Sequence, residues 1–412
     1  MNIEVINTGS ELMLGQVQNS HLGYFSQHLL KLGLRVVRQH TIPDGPIIKE
    51  VLAEALTRAD LIILTGGLGP TSDDLTRDLV SDLCGAPLEF QPHIAQKIQD
   101  YFARRNIIPP DSVNMQAQIP RGAHILENNH GTAPGFRLPY QGHQIICLPG
   151  PPPELYPMFE EQVLPYLKTL HPDAAAIHCL NFRIFGLGES EVQKRVEEKL
   201  LALGPVEIGY CARYREVDLR LISPDQVLLQ KMNTVVLESV GDHIYAEGDE
   251  TMESVVIQLA SGLKLKLTTA ESCTGGLTSH RLTNVPGSSA VFDGGWVTYS
   301  NEFKMKELGV LPETLAKHGA VSVQTAAEMA EGALKQSGAD LAVSLTGIAG
   351  PGGGSEEKPV GTLFIALAEK RPDGTISCQT EEKRLVPRRE VFKFGASQAA
   401  LDLIRRALLK RQ

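Results

Sequence analysis

Three stretches in the second half of the chain put reactive side chains or glycines where an apolar run stops. In "LKLKLTTAESCTGG" the run through Leu263, Leu265 and Leu267 ends in Ser272, Cys273, Thr274 and Gly275. A strand handing over to a helix there would surround a hydroxyl nucleophile with backbone N–H donors, at a helix end that favours negative charge. Such donors could hold a phosphate or an oxyanion, an effect worth ~10²–10³ in rate per donor in acyl transfer. Plain N-capping by Ser and Thr explains the same residues, so this stretch alone leaves both readings open. Cys273 is a rival nucleophile, disfavoured because no histidine adjoins it.

The second stretch, "VTYSNEFKMKELGV", sets Tyr299, Asn301 and Lys304 at the end of a strand and the start of a helix. A lysine can act as general base toward a serine if burial lowers its pKa, and a tyrosine hydroxyl can relay or orient the proton. The alternative is a solvated helix lysine. The third stretch, "LTGIAGPGGGSEEKPVG", carries Gly347, Gly350, Gly352 and Gly353 between two strands. Glycines there leave backbone amides uncovered, as a phosphate cradle requires. It is neither a Walker A nor a G-x-G-x-x-G sequence, so its spacing does not separate a phosphate loop from a long turn.

A comparable set lies in the first half. "LTGGLGPTSDDLTRD" is a strand, a turn with Gly66, Gly67 and Gly69, and a helix start with Asp73, Asp74 and Thr76. The glycines let a phosphate approach the backbone, while the oxygen side chains could hold a hard cation; a capping cluster is the bland alternative. "INTGSELMLGQVQNS" adds Gly9 and Glu11, "NNHGTAPGF" adds Gly131, and "CLPGPPPEL" adds Pro149 and Gly150.

The elements that must position these residues read as α/β throughout, because short apolar runs alternate with longer amphipathic segments. "IEVINTG", "LRVVRQHTI", "DLIILTGG" and "HQIICLPG" read as strands with helices between them, and their glycine turns describe a doubly wound sheet with a site along one edge. After residue 168 the composition shifts to a small α+β unit, β-α-β-β-α with a last short strand, over 169–248. From 249 to 412 a second α/β domain follows.

Together these motifs resemble the CinA family. "AESCTGG", "YSNEFKMKELGV" and "TGIAGPGGG…KPVG", with "LTNVPGSSAVFDGGWVTYSN", resemble its C-terminal nicotinamide-mononucleotide (NMN) deamidase domain. "GGLGPTSDDLTRD", "HGTAPGF" and "LPGPPPE" resemble its N-terminal MoaB/MogA-like domain. The resemblance implies hydrolysis of the NMN carboxamide by Ser272, activated by Tyr299 and Lys304 without a cofactor. Cys273 to Gly275 would hold the oxyanion, and the glycine loop with Arg389 the phosphate. The arginine usual four residues later is Lys393 here, which keeps the charge but loses the bidentate fork. For residues 1–168 the resemblance implies cleavage of ADP-ribose to AMP and ribose 5-phosphate. That reaction would use a divalent metal, magnesium or a transition metal, on Asp74 with Asp73, and a monovalent cation as a further candidate. The family's usual "NTN" is Asn19-Ser20-His21 here. A homodimer follows from the same likeness. The alternatives are a non-catalytic protein linked to competence or recombination, and a molybdopterin-binding protein.

Bulk composition narrows the partners. A formal net charge of −9 leaves no basic surplus to grip nucleic acid, and the Arg405, Arg406, Lys410, Arg411 run reads as a solvated helix end. Six scattered cysteines without CxxC or metal-ligand spacing suit reduced thiols. No basic and apolar leader opens the sequence, and no apolar run is long enough to span a membrane. The expectation is a soluble cytoplasmic protein acting on small nucleotides.

Overall fold

Buried apolar strands that end in glycine turns build both halves of the chain. The computed structural model describes residues 1–108, 110–171, 177–371 and 373–412, and the chain divides into two units, Met1–His178 and Cys179–Gln412. The first unit holds β1 (Ile3–Thr8), β2 (Val36–Ile42), β3 (Leu61–Thr65), β4 (Leu88–Phe90), β5 (Gln118–Pro120), β6 (His124–Leu126), β7 (Gly135–Tyr140) and β8 (His143–Leu148). One sheet runs in the order β2-β1-β3-β8-β7-β6, and β4 pairs with β5 apart from it. Every residue of β1 and β3 is buried, as parallel strands covered on both faces should be. One apolar cluster gathers around Ile6, Ile62, Leu64 and Phe136, the other around Val5, Phe25, Ile63 and Phe159. β1, β2, β3 and β8 are parallel, whereas β7 and β6 run antiparallel at the far edge. Thr8, Thr65 and Leu148 therefore end side by side, and the turns after them open on one sheet edge.

The second unit begins with β9 (His178–Phe185), β10 (Glu207–Arg213), β11 (Glu216–Ser223) and β12 (Ile244–Glu247), in the order β10-β11-β9-β12. Helices Glu189–Leu201 and Gln226–Val240 complete a β-α-β-β-α-β unit. Val192, Val196, Leu229 and Met232 from those helices share a core with Phe182, Val217 and Leu219. The β10–β11 hairpin turns at Tyr214 and Arg215, with Arg215 at φ 62°.

The remaining strands are β13 (Leu267–Glu271), β14 (Phe292–Val297), β15 (Leu341–Gly347), β16 (Thr362–Lys370) and β17 (Ile376–Arg384), in the order β14-β13-β15-β16-β17. β13 is parallel to both neighbours, while β16 and β17 are antiparallel. Helices Met252–Leu263 and Arg389–Leu409 cover one face and helix Val323–Ser337 the other. Phe185 and Tyr245 of the middle domain belong to the same apolar cluster as Met252 and Val256, so the two domains of this unit share core. Among the described residues no helix is long and apolar enough to cross a membrane, and all six cysteines are free thiols.

Candidate active sites

Because β13, β14 and β15 lie side by side, the three C-terminal motifs meet at one edge of that sheet. Ser272 follows β13, and its N–H is fixed by the Leu345 carbonyl at 2.9 Å. Helix Asn301–Leu308, capped by Ser300, carries Lys304 inward, and Lys304 is 1% exposed. Its Nζ donates to Ser272 Oγ at 3.1 Å, to the Thr298 carbonyl at 2.8 Å and to the Tyr299 carbonyl at 3.3 Å. None of these partners is a carboxylate, and burial pulls the Lys304 pKa below its ordinary value. Cys273 is buried beside the serine, and burial pushes its thiol up to about 12, so it stays protonated near neutral pH. A cavity of about 350 Å³ in the first unit has a smaller counterpart here, about 200 Å³, lined by Ser272, Cys273, Tyr299, Lys304, Thr346 and Arg389 among others.

Three details differ from the sequence reading. Residues 272–275 do not open the helix: Gly275 and Gly276 take φ 62° and 93°, left-handed values no right-handed helix contains, and the helix starts at Leu277. Its first N–H groups are not free either. The buried Glu271 carboxylate accepts from Gly276 N (3.1 Å), Thr278 N (3.0 Å), Ser279 N (2.8 Å) and Ser279 Oγ (2.7 Å). The N–H groups of Cys273 and Thr274 donate to no oxygen among the described residues but lie against the Cys273 thiol, and of residues 273–275 only Cys273 lines the cavity. The second difference is Tyr299. Its hydroxyl accepts from Arg389 Nη2 at 3.0 Å rather than reaching Lys304, because the side chain, 61% exposed, turns outward while the carbonyl faces in.

The third concerns the glycine loop. Gly347 lines the cavity, but a β-carbon there would meet the Thr362 carbonyl at 2.6 Å; one on Gly350 would meet Val360 at 2.6 Å. Close packing is thus reason enough for both glycines, and Gly350, Gly352 and Gly353 do not line the cavity. Gly350 contributes through its carbonyl, which accepts from Arg389 Nη1 at 3.2 Å. Lys393 Nζ stands 3.6 Å from where a β-carbon on Gly275 would be, at the same edge.

In the first unit, the turns after β1, β3 and β8 surround the larger cavity. Gly9, Glu11, Gly66, Gly67, Gly69, Asp73, Asp74, Pro149 and Gly150 all line it. The glycines admit the acids: a β-carbon on Gly9 would sit 2.6 Å from a Glu11 oxygen, and one on Gly69 2.5 Å from Asp74 Oδ2. Thr76 lies behind Gly67, its buried hydroxyl without a hydrogen-bond partner, and Gly131 lies against Glu154; neither lines the cavity. Asp74 Oδ2 accepts from the Thr71 N–H at 2.9 Å, so it closes the turn as well as facing the cavity. His21 belongs to a buried network under β1, with Nδ1 3.0 Å from Thr65 Oγ1, and burial lowers its pKa. Asp44, Gln116 and Glu154 also line the cavity and were not singled out in sequence, although Glu154 ends the LPGPPPE motif. Asp44 follows a strand in a Pro-Asp-Gly turn, a signal of the same kind as the others. The lining carboxylates (Glu11, Asp44, Asp73, Asp74, Glu154) are joined by no lysine, arginine or histidine. Among the described residues no group of three or more His, Cys, Asp or Glu side chains could hold a metal ion.

Comparison with known proteins matches all three domains of the chain to family models. A family model described as a probable molybdopterin binding domain matches residues 4–169. One for the damage-inducible protein CinA KH domain matches 181–246, and one for the CinA C-terminal domain matches 249–408. A CinA-like protein of Akkermansia muciniphila is 43% identical over 404 residues, covering 97% of this chain and 96% of its own. A putative competence-damage inducible protein of Caldicellulosiruptor saccharolyticus is 42% identical over 416 residues, 99% and 100% of the two chains. Among solved structures, the competence/damage inducible protein CihA from Agrobacterium tumefaciens is 46% identical, with 38% of this chain and 93% of that one covered and a TM-score of 0.36. With relatives this similar along its whole length, the chain belongs to the CinA family.

Proposed function

We propose that the C-terminal domain hydrolyses the carboxamide of NMN to nicotinate mononucleotide and ammonia. The observation that carries this reading is the buried Ser272–Lys304 contact at 3.1 Å, open to a cavity with an arginine at its rim. A neutral Lys304 keeps two N–H groups on the Thr298 and Tyr299 carbonyls and turns its lone pair to the serine hydroxyl. Lys304 takes that proton as Ser272 Oγ attacks the carboxamide carbon. The carbonyl electrons move to oxygen, where the Cys273 and Thr274 N–H groups are the donors at hand. The tetrahedral carbon then expels ammonia, which leaves with the proton from Lys304. Water attacks the resulting ester, Lys304 takes its proton, and that proton returns to Ser272 as the acid departs. Arg389 would face the phosphate, with the Tyr299 hydroxyl and Gly350 carbonyl holding the guanidinium in place.

For the first unit the same proposal assigns cleavage of ADP-ribose to AMP and ribose 5-phosphate. An anionic pyrophosphate among these carboxylates would need a cation; with no three carboxylates converging among the described residues, two aspartate oxygens would have to be completed by phosphate oxygens and water around a hard divalent ion. Asp74 and Asp73 would hold it, and when bound it neutralises charge on the pyrophosphate. The Gly66–Gly67 backbone would lie against the phosphates. A second reading, in which this unit binds a molybdopterin-type ligand and the protein acts in competence without catalysis, is favoured by the names its relatives carry and by the match over residues 4–169.

The test assays the full chain for ammonia from NMN and for AMP from ADP-ribose with added magnesium or cobalt. Both products are expected. Pterin binding without either product would replace the enzymatic reading with the second one.

A further inference from the structure

The middle domain reaches into the segment that carries Arg389. Tyr214, at the tip of the β10–β11 hairpin, accepts a hydrogen bond from the Val386 N–H at 3.4 Å. Its ring lies over Gly395 in the last helix, where a β-carbon would stand 2.6 Å from Tyr214 Cε1. Gly395 sits in ordinary helix, so its lack of a side chain answers to the ring above it rather than to backbone conformation. The tip is held from its own side too. The Arg215 carbonyl accepts from the Gly186 N–H at 3.2 Å, and the next residue, buried Glu216, accepts from Gln398 of the same last helix. Gln398 in turn accepts from Arg281, whose Nη1 donates to Ser397 at 2.9 Å. Between the two places that Tyr214 touches, Val386 and Gly395, stands Arg389 at the first turn of the helix.

We propose that Tyr214 is a positioning residue for the C-terminal site: by holding Val386 and the first turns of the last helix, it sets where Arg389 meets the phosphate of a mononucleotide. The proposal rests on the reading of Arg389 as the phosphate-binding residue. A guanidinium recognises phosphate through a planar fork, so a small displacement of its helix turn breaks the match where a point charge would tolerate it. Two of its nitrogens are already committed to the Gly350 carbonyl and the Tyr299 hydroxyl, which leaves little freedom to compensate. Ser272 follows β13 and Lys304 lies on helix Asn301–Leu308; neither touches Tyr214, Val386 or Gly395, and they meet the Arg389 contacts only through the Tyr299 carbonyl. Loss of Tyr214 should therefore weaken binding of the phosphate-bearing substrate and spare the chemical step.

The experiment compares wild type, Tyr214→Ala, Tyr214→Phe and Gly395→Ala as full chains, by NMN kinetics and by amide hydrogen exchange across residues 386–395. Tyr214→Ala is expected to raise KM about tenfold with kcat within about twofold, and to quicken exchange in that segment. Tyr214→Phe keeps the ring and should recover most of the loss; Gly395→Ala, pushing on the ring from the other side, should reproduce it. Unchanged KM and exchange in Tyr214→Ala overturns the proposal, as does a fall in kcat at unchanged KM. If the wild type releases no ammonia from NMN, the deamidase reading falls by itself. Protection of residues 386–395 by nicotinate mononucleotide then decides: protection lost in Tyr214→Ala supports the positioning role, and protection retained overturns it.

Discussion

Lys304 is a buried amine whose neighbours are a hydroxyl and two carbonyls, and desolvation without a countercharge is what lowers its pKa. In the proposed mechanism the neutral amine is the base. Activity should then rise with pH as Lys304 loses its proton, and kcat/KM should level off below the ordinary lysine value of 10.5. A pH–rate profile checks this; a limb centred at or above that value would contradict a buried base. Lys304→Arg keeps the charge but cannot give up its proton, so kcat should fall by ~10²–10⁴ in a steady-state assay while the fold survives by circular dichroism. Cys273, adjacent to Ser272, is held as a thiol by burial. The pairing of serine and lysine came from the family resemblance; as residues at the ends of apolar runs they read equally well as a helix cap and a solvated lysine. The outward turn of Tyr299 was not, since sequence places a residue at a strand end without saying whether its side chain or its carbonyl faces the neighbour.

Helix Leu277–Thr283 owes its start to Glu271, the last residue of β13 and wholly buried. One carboxylate there satisfies three backbone N–H groups and a hydroxyl, which also pins the turn that presents Ser272. Glu271→Ala would leave those donors buried and unpaired, at about 3 kcal/mol of stability, read as a lower denaturant midpoint at unchanged m-value. Helix Val323–Ser337 shows the complementary constraint. Gly332 lies against the Leu308 carbonyl at the end of the helix that carries Lys304. Backbone cannot yield as a side chain can, so Gly332→Ala should cost about 3 kcal/mol and reduce deamidation together with stability. The strand-then-glycine rhythm revealed where each sheet edge would open. It misled on the helix start: Gly275 and Gly276 form a left-handed turn after Ser272, and the helix begins beyond them, capped by Glu271 rather than by Ser272 or Thr274.

At the level of the whole molecule, the two units have separate cores and separate cavities with opposite chemical character, one lined by carboxylates and one containing a lysine and an arginine. Variants should consequently act on one activity at a time. Ser272→Ala should abolish ammonia release and leave AMP formation from ADP-ribose within about twofold, while Asp74→Asn should do the reverse. Parallel assays of both products in each variant check this. What sequence could not supply at this scale is contact between distant segments. Gln116 comes to the first cavity, and Tyr214 to Val386 and Gly395, only through the fold, and neither stands in a motif of its own.

Ammonia release from NMN by wild type, Ser272→Ala and Cys273→Ala tests the central claim most directly. The account predicts activity in wild type, activity retained in Cys273→Ala within a few-fold, and a loss of about 10³ or more in Ser272→Ala. Activity that survives in Ser272→Ala, or disappears only in Cys273→Ala, would contradict it.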